Sequence, residues 1–441
     1  MPDIYEIVNS TQLNSDLEDV ADAIRAKSQG QDPLLFPSEF ISEIGSIPTG
    51  ASITGATDDT VEAMQNLTQN GTCYIFKKKY SKLLSLDDLA STTNNPRPTY
   101  NPSGTRLIVN SQTSPYVRLY DCTQFPYVLL NSEISVTQAC FDFAWSPDGT
   151  RLAITHSSSP YVSIYDTTTT PYTKLSDPST LPTGAGQRLS WSPDGTRLAV
   201  SHTTSPYITI YDTTSVPYSK ITDPSTLPAG NGKGCAWNPA GTRLAVAHST
   251  SPYITIYDTT SVPYSKLTNP GTLPGGESSS CDFSPDGAYL AVTSTNSPYI
   301  QVYNTATSPY TKLTNPGTLP TSSAYHCSFS PDGSILTVAG GGTYPVCIYN
   351  TSSTPFVKQT FSMDPTSNAY KVTWAGRYFA IGKTASPRVY IYALKGNNDM
   401  AIPANNKTIS GVFNNQDQCY GYAKEAINKG STGTATVLFT P

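Results

Sequence analysis

Glycine returns at a fixed interval along most of this chain, and that interval constrains the fold more than any other feature. Pro-Ser-Gly or Pro-Asp-Gly-like turns fall at Gly104, Gly149, Gly195, Gly241, Gly287 and Gly333, spaced 45, 46, 46, 46 and 46 residues apart, and a degenerate seventh copy turns at Gly376, 43 residues later. A period of this length makes each copy one supersecondary unit that cannot bury its own faces, so the copies must stack. Each period divides into four short runs. In the third copy these are residues 188–191, 197–202, 207–211 and 218–221, with Pro193-Asp194-Gly195 between the first two. The second and third runs are β-branched and aromatic with period-two alternation, the mark of strands joined by hairpins. Proline presets φ and glycine tolerates the tight connection. Each copy therefore reads as a four-stranded antiparallel blade.

An aromatic ring stands four residues before each turn glycine, at Tyr100, Trp145, Trp191, Trp237, Phe283 and Phe329, with Trp374 two before Gly376. Rings at one repeat position are expected to wedge between neighbouring blades, each contributing about 1.5–3 kcal/mol when fully buried. Seven copies of 46 residues need 322, which is the length of 73–394. The last copy supplies only three strands, ending at Tyr390-Ile391-Tyr392, while Tyr80-Ser81-Lys82-Leu83 matches Tyr264-Ser265-Lys266-Leu267, a fourth strand. Residues near 79–84 are thus expected to complete the last blade and leave no open edge. The fold class expected is mainly β: a seven-bladed β-propeller over 73–394, preceded by a helical segment (1–48) and a linker (49–72), and followed by a small β segment (395–441).

The phrases Phe283-Ser284-Pro285-Asp286-Gly287, Tyr289-Leu290-Ala291-Val292 and Ile208-Thr209-Ile210-Tyr211-Asp212 resemble WD-repeat propellers, with Tyr-Asp standing for Trp-Asp. The Gly-His pair and the His, Ser and Asp hydrogen-bond network typical of that family are not evident. In the flanks, Leu13, Leu17, Val20, Ala21 and Ile24 share one face of an amphipathic helix over 11–28, with Arg25 and Lys27 in its last turn. A second short helix follows Pro37, with Phe40, Ile41 and Ile44 on its apolar side. Val20-Ala21-Asp22-Ala23-Ile24-Arg25-Ala26-Lys27, Asp32-Pro33-Leu34 and Phe36-Pro37-Ser38-Glu39-Phe40 resemble an N-terminal module of tail and baseplate-associated proteins in phages of Gram-positive bacteria. The resemblance implies attachment to a virion, with Leu13, Leu17, Val20, Ile24, Phe36, Phe40 and Ile44 as the anchor. At the other end, 418–424 and 434–439 alternate as strands, and Gly421-Tyr422-Ala423 resembles tails that also end phage structural proteins.

Charged residues make up only 13% of the chain and the net charge is −5. A nucleic-acid binder would carry a basic stripe, so that class is set aside. No run approaches the length of a membrane helix, and the polar, acidic start is unlike a signal peptide, so the expectation is a soluble chain made in the host cytoplasm. Cys235, Cys281 and Cys327 are 46 residues apart, and Leu189 and Phe143 hold the same position in earlier copies. That makes cysteine a small hydrophobe there and predicts free thiols.

Catalytic chemistry is hard to find. His156, His202 and His248 are repeat-equivalent, so they should lie on an arc rather than converge on one metal ion. Asp148, Asp194, Asp286 and Asp332 fit turn positions. No phosphate loop, His-Glu-x-x-His or Cys-x-x-Cys is present, and the expectation is no catalytic residue, no cofactor and no metal. Divergence between copies points elsewhere. The fourth-to-first-strand connections differ from blade to blade and offer Gln187, Arg188, Asn231, Lys233, Glu277, Tyr325, His326, Asn368 and Tyr370 as a candidate ligand-binding face. The function expected is a phage virion structural protein, exposed on the particle as a homo-oligomer, anchored to other virion proteins and adhering to a host-surface glycan or protein. The alternatives are a purely architectural virion component and a propeller-type carbohydrate-active enzyme with Glu277 among clustered carboxylates.

Overall fold

The computed structural model describes residues 80–86 and 95–394, apart from short stretches at 112–113, 124–126, 131–132, 344, 360–366 and 386–387, together with the strands Tyr422–Ala423 and Val437–Leu438. The N-terminal anchor residues Leu13, Leu17, Val20, Ile24, Phe36, Phe40 and Ile44, and the linker, lie outside the described residues.

The described residues 80–394 form seven four-stranded antiparallel sheets. The third is representative: Gly186–Trp191, Arg197–His202, Ile208–Asp212 and Ser219–Lys220 pair in that order. First strands of successive sheets contact one another around the ring: Thr99–Tyr100, Cys140–Trp145, Gly186–Trp191, Gly232–Trp237, Ser278–Phe283, Ala324–Phe329 and Ala369–Ala375. They therefore surround the axis, and the seven sheets are the blades of a propeller. The last blade has the order Tyr80–Leu86, Val389–Leu394, Tyr378–Lys383, Ala369–Ala375. Its outermost strand thus comes from the beginning of the chain, and the ring is closed. By itself, Tyr422–Ala423 pairs antiparallel with Val437–Leu438.

Alternation along the strands has a different meaning from the usual inside-outside one. Leu198, Ala199 and Val200 are all fully buried. Leu198 and Val200 join Ala153, Val162 and Ile164 of the preceding blade, whereas Ala199, Ile208 and Ile210 join Cys235, Trp237 and Leu244 of the following one. A strand covered on both faces alternates between two seams, so its run is apolar throughout. The aromatic position sits in these seams. Trp191 donates from Nε1 to the Ala144 carbonyl of the preceding blade at 3.1 Å and meets Tyr218 edge-on at 6.0 Å between centroids. Cys235, Cys281 and Cys327 are buried free thiols in the same seams.

The Ser-Pro-Asp-Gly-Thr turn supports itself. Ser192 Oγ donates to Asp194, the Arg197 amide donates to Ser192 Oγ at 2.9 Å, and the Thr196 amide to Asp194 Oδ1 at 3.0 Å. Gly195 has φ +71°, in the left-handed region where a Cβ is strained. The third strand begins one residue later than expected, at Ile208. Tyr207 has φ 67° and its amide donates to the Thr204 carbonyl at 2.8 Å, so it closes the turn rather than opening the strand.

Candidate functional site

In six of the seven blades the innermost strand carries an irregularity close to its start. Register shifts between Gly186 and Arg188, between Gly232 and Gly234, and at the matching points of the second, fifth, sixth and seventh blades. A bulge inserts one unpaired residue and re-aims the side chains around it. In the third to seventh blades the bulged residues are Gln187, Lys233, Ser279, Tyr325 and Tyr370, all partly buried where the innermost strands begin. At this end Tyr325 and Tyr370 stack with centroids 5.2 Å apart and planes 7° apart, and Lys233 pairs with Glu277 at 3.0 Å.

The sequence places Gln187, Lys233, Tyr325, His326 and Tyr370 in loops and Arg188 where a loop meets the first strand; all six are strand residues. The bulge explains the difference, because it interrupts the alternation by which a strand is recognised. Asn231, Glu277 and Asn368 do stand just before their strands. There their carbonyls accept from Ser249, Thr295 and Thr384 at 3.1, 2.9 and 3.0 Å, tying each second-to-third-strand loop to the blade.

One residue further on, each blade places a residue at the same register. The Arg97 amide donates to Asn110 Oδ1 at 2.6 Å, that of Asp142 to Thr155 Oγ1 at 3.0 Å and that of Arg188 to Ser201 Oγ at 3.1 Å. These bonds fix the equivalence, and counting 45 or 46 residues on completes the ring: Arg97, Asp142, Arg188, Gly234, Ser280, His326 and Lys371. Six of the seven, all but Arg97, line one cavity of about 170 Å³ among the innermost strands, with Asp282, Cys235, Cys281 and Cys327 also in its wall.

The charges there are lopsided, with Asp142, Arg188 and Lys371 buried and Arg97 half-buried. Lys371 Nζ donates to Asp142 Oδ1 at 2.6 Å and to Thr99 Oγ1 at 2.8 Å, while Arg188 Nη2 donates to the Tyr325 carbonyl at 3.3 Å. Arg188 Nη1 lies 3.8 Å from Asp142 Oδ1, inside ion-pair reach but beyond a hydrogen bond. Burial works to raise the Asp142 carboxyl, but Lys371, Arg188 and Arg97 overcome it and hold the group below its ordinary range. Burial lowers Lys371 to about 8 and Arg97 to about 9. Burial likewise raises Asp282 to about 7, although the Phe329 amide donates to it at 2.9 Å. His326 is pushed well below 6.5 by burial and then by Arg188, Lys371 and Arg97, so it is neutral. Arg97, Asp142, Ser280 and Lys371 were missed in the sequence. The signal that finds them is the 46-residue register extended backwards and forwards from Arg188.

His156, His202 and His248 do not converge. Each is buried at the end of its second strand and hydrogen-bonds through Nε2 to Ser163, Thr209 or Thr255 at 3.1, 2.9 and 3.0 Å. Burial lowers all three to about 4.

With this geometry in view, the comparisons with known proteins concern the frame. Residues 179–308 match the model of eukaryotic translation initiation factor eIF2A. The fold is that of a WD-repeat-like propeller. The β-propeller domain of Cps50 (Swd1) from Myceliophteria thermophila superposes with a TM-score of 0.56 at 11% identity, covering 72% of this chain and 100% of that one. A chain of the mitotic checkpoint complex gives 0.57 at 16%, covering 72% and 96%. A chain of Kuenenia stuttgartiensis hydrazine synthase gives 0.53 at 18%, covering 68% and 96%. No curated protein matches the chain by sequence. At these identities the propeller shares a fold with its neighbours.

Proposed function

We propose that this chain is a non-enzymatic virion structural protein. Residues 1–48 attach it to other virion proteins, it assembles as a homo-oligomer, and its propeller displays the bulged end of the channel on the particle surface for adhesion to a host glycan. The observation that carries the adhesion reading is the stacked Tyr325–Tyr370 pair, at the bulge positions of a frame whose turns and seams otherwise repeat. Aromatic faces offer apolar platforms and Gln187 and Lys233 offer hydrogen bonds, the mixture that recognises a sugar. The virion assignment is supported by the resemblance of residues 20–40 to tail and baseplate-associated modules.

Two experiments test the halves separately. Purified protein should be retained by isolated host cell-wall polysaccharide, and Tyr325→Ala with Tyr370→Ala should weaken retention at least tenfold. Unchanged retention in that double variant would sink the adhesion reading. A chain lacking 1–48 should fail to assemble onto particles; if it assembles normally, the anchor is elsewhere.

A further inference from the structure

We propose that the propeller's channel holds a small oxyanion, a phosphate, sulfate or carboxylate group, against Arg188, with the neighbouring Lys371 adding charge rather than a hydrogen bond, since its three donors go to Asp142, Thr99 and the Phe143 carbonyl. The site lies one register below the bulged residues and stands independently of the adhesion reading.

Three observations carry it. The first is charge. Along the axial ring three cations, Arg97, Arg188 and Lys371, face one ionised carboxylate, Asp142, and the four occupy consecutive blades around the closed ring. Asp282, the other carboxyl in the wall, has a proton affinity that leaves it only partly ionised near neutrality. Buried cations in excess of their counter-charges are costly, and an anion offsets that cost.

The second is an open donor. Arg188 is only 6% exposed, yet its Nη1 has no hydrogen-bond partner, while Nη2 is held by the Tyr325 carbonyl. A guanidinium held by one nitrogen, with the other in ion-pair reach of Asp142 at 3.8 Å but making no hydrogen bond, is suited to a planar or tetrahedral oxyanion. His326 Nδ1 is likewise buried without a partner beside the same cavity.

The third is space on the side away from the charges. The fourth and fifth blades contribute Gly234 and Ser280 at the register where their neighbours carry long side chains. Gly234 also avoids a tight contact, because a Cβ there would stand 3.0 Å from the Ser280 Cα. The cavity of about 170 Å³ is far below the roughly 300–1,000 Å³ of sites for larger ligands, though it exceeds the roughly 30 Å³ share of one water several times over. It is of a size for a small ion.

The experiment is a titration of the full-length protein with inorganic phosphate and, separately, with acetate, each against sodium chloride of matched ionic strength. Thermal unfolding and the imidazole resonances of the four histidines are the readouts. Phosphate or acetate should raise the midpoint above the chloride control and shift the His326 resonance, because an anion beside it restores its proton affinity. A response to acetate alone would identify a carboxylate as the natural group, and a response to phosphate alone a tetrahedral ion. Arg188→Gln should weaken the apparent affinity at least tenfold. Should that variant fail to fold, Ser280→Glu places a carboxylate in the same space from the opposite wall and should abolish the response. No response beyond chloride in the unaltered protein, or an unchanged response in Ser280→Glu, overturns the proposal.

Discussion

The rim of the propeller and its axis are built from equivalent positions of the same repeat, yet they obey opposite rules. At the rim, arginine and aspartate recur as pairs joining the second and third strands: Arg106–Asp121, Arg151–Asp166, Arg197–Asp212 and Arg243–Asp258, at 3.1, 3.0, 2.8 and 2.9 Å. On the axis the ring reads Arg97, Asp142, Arg188, Gly234, Ser280, His326, Lys371, with almost no repetition. A rim pair joins two strands of one blade, and its arginine meets the equivalent tyrosine of the next, so in the four blades that carry it one solution serves repeatedly. An axial residue sees six other blades, and repeating a single charge seven times would place like charges together at low dielectric. Axial variety is thus forced by geometry, whereas its particular imbalance of charge is not.

This contrast can be broken most sharply at the axis and the seams. Asp142→Asn should cost about 3–5 kcal/mol, since it strands Lys371 and Arg188 without their carboxylate. Denaturant unfolding measures it, and a loss below about 1 kcal/mol would mean that the cations are not held by this residue. Trp191→Ala should cost a similar ~3–5 kcal/mol by opening the seam between the second and third blades. Copying Arg188 into the fifth blade as Ser280→Arg should destabilise by roughly 3 kcal/mol, because it adds a buried cation with no new partner. If Ser280→Arg and Ser280→Glu prove equally harmful, their effect is steric and the axis carries no net field.

Smaller effects are expected away from the axis. His156, His202 and His248 are held near 4 against about 6.5 in the unfolded chain, so the unfolded state binds more protons between these values. Their stabilising contribution is complete above pH 6.5 and falls as pH drops towards 4, with a slope of up to about 1.4 kcal/mol per pH unit for each residue. Replacing all three by Gln should flatten the acid limb of a stability profile. Gly195→Ala should cost about 1–2 kcal/mol through its left-handed backbone. Arg197→Met, at a pair roughly a quarter exposed, should cost no more than about 1 kcal/mol. A larger loss at Arg197 than at Asp142 would reverse the comparison from which these expectations come.

Much of the frame is legible without coordinates because it repeats. The Gly195 turn, the free cysteines of the seams and the pairing of residues near 80 with Val389–Leu394 all follow from residue type and interval. The candidate site was legible only in part. Gln187, Lys233, Tyr325 and Tyr370 stood out because they differ between copies, but the bulge that turns Arg188 and His326 towards the axis leaves no pattern of its own. Asp142 and Lys371 are 229 residues apart in sequence and share a hydrogen bond.

By itself, then, the sequence determined the repeat, the number of blades and the strand that closes the ring, because the same spacing and strand pattern recur from copy to copy, and the missing fourth strand can be matched to the start of the chain. Only the tertiary structure decided which residues meet on the axis, with Asp142 hydrogen-bonded by Lys371 and in ion-pair reach of Arg188. Closing the ring brings consecutive copies together at a common register, and the charge there is a property of all seven blades at once.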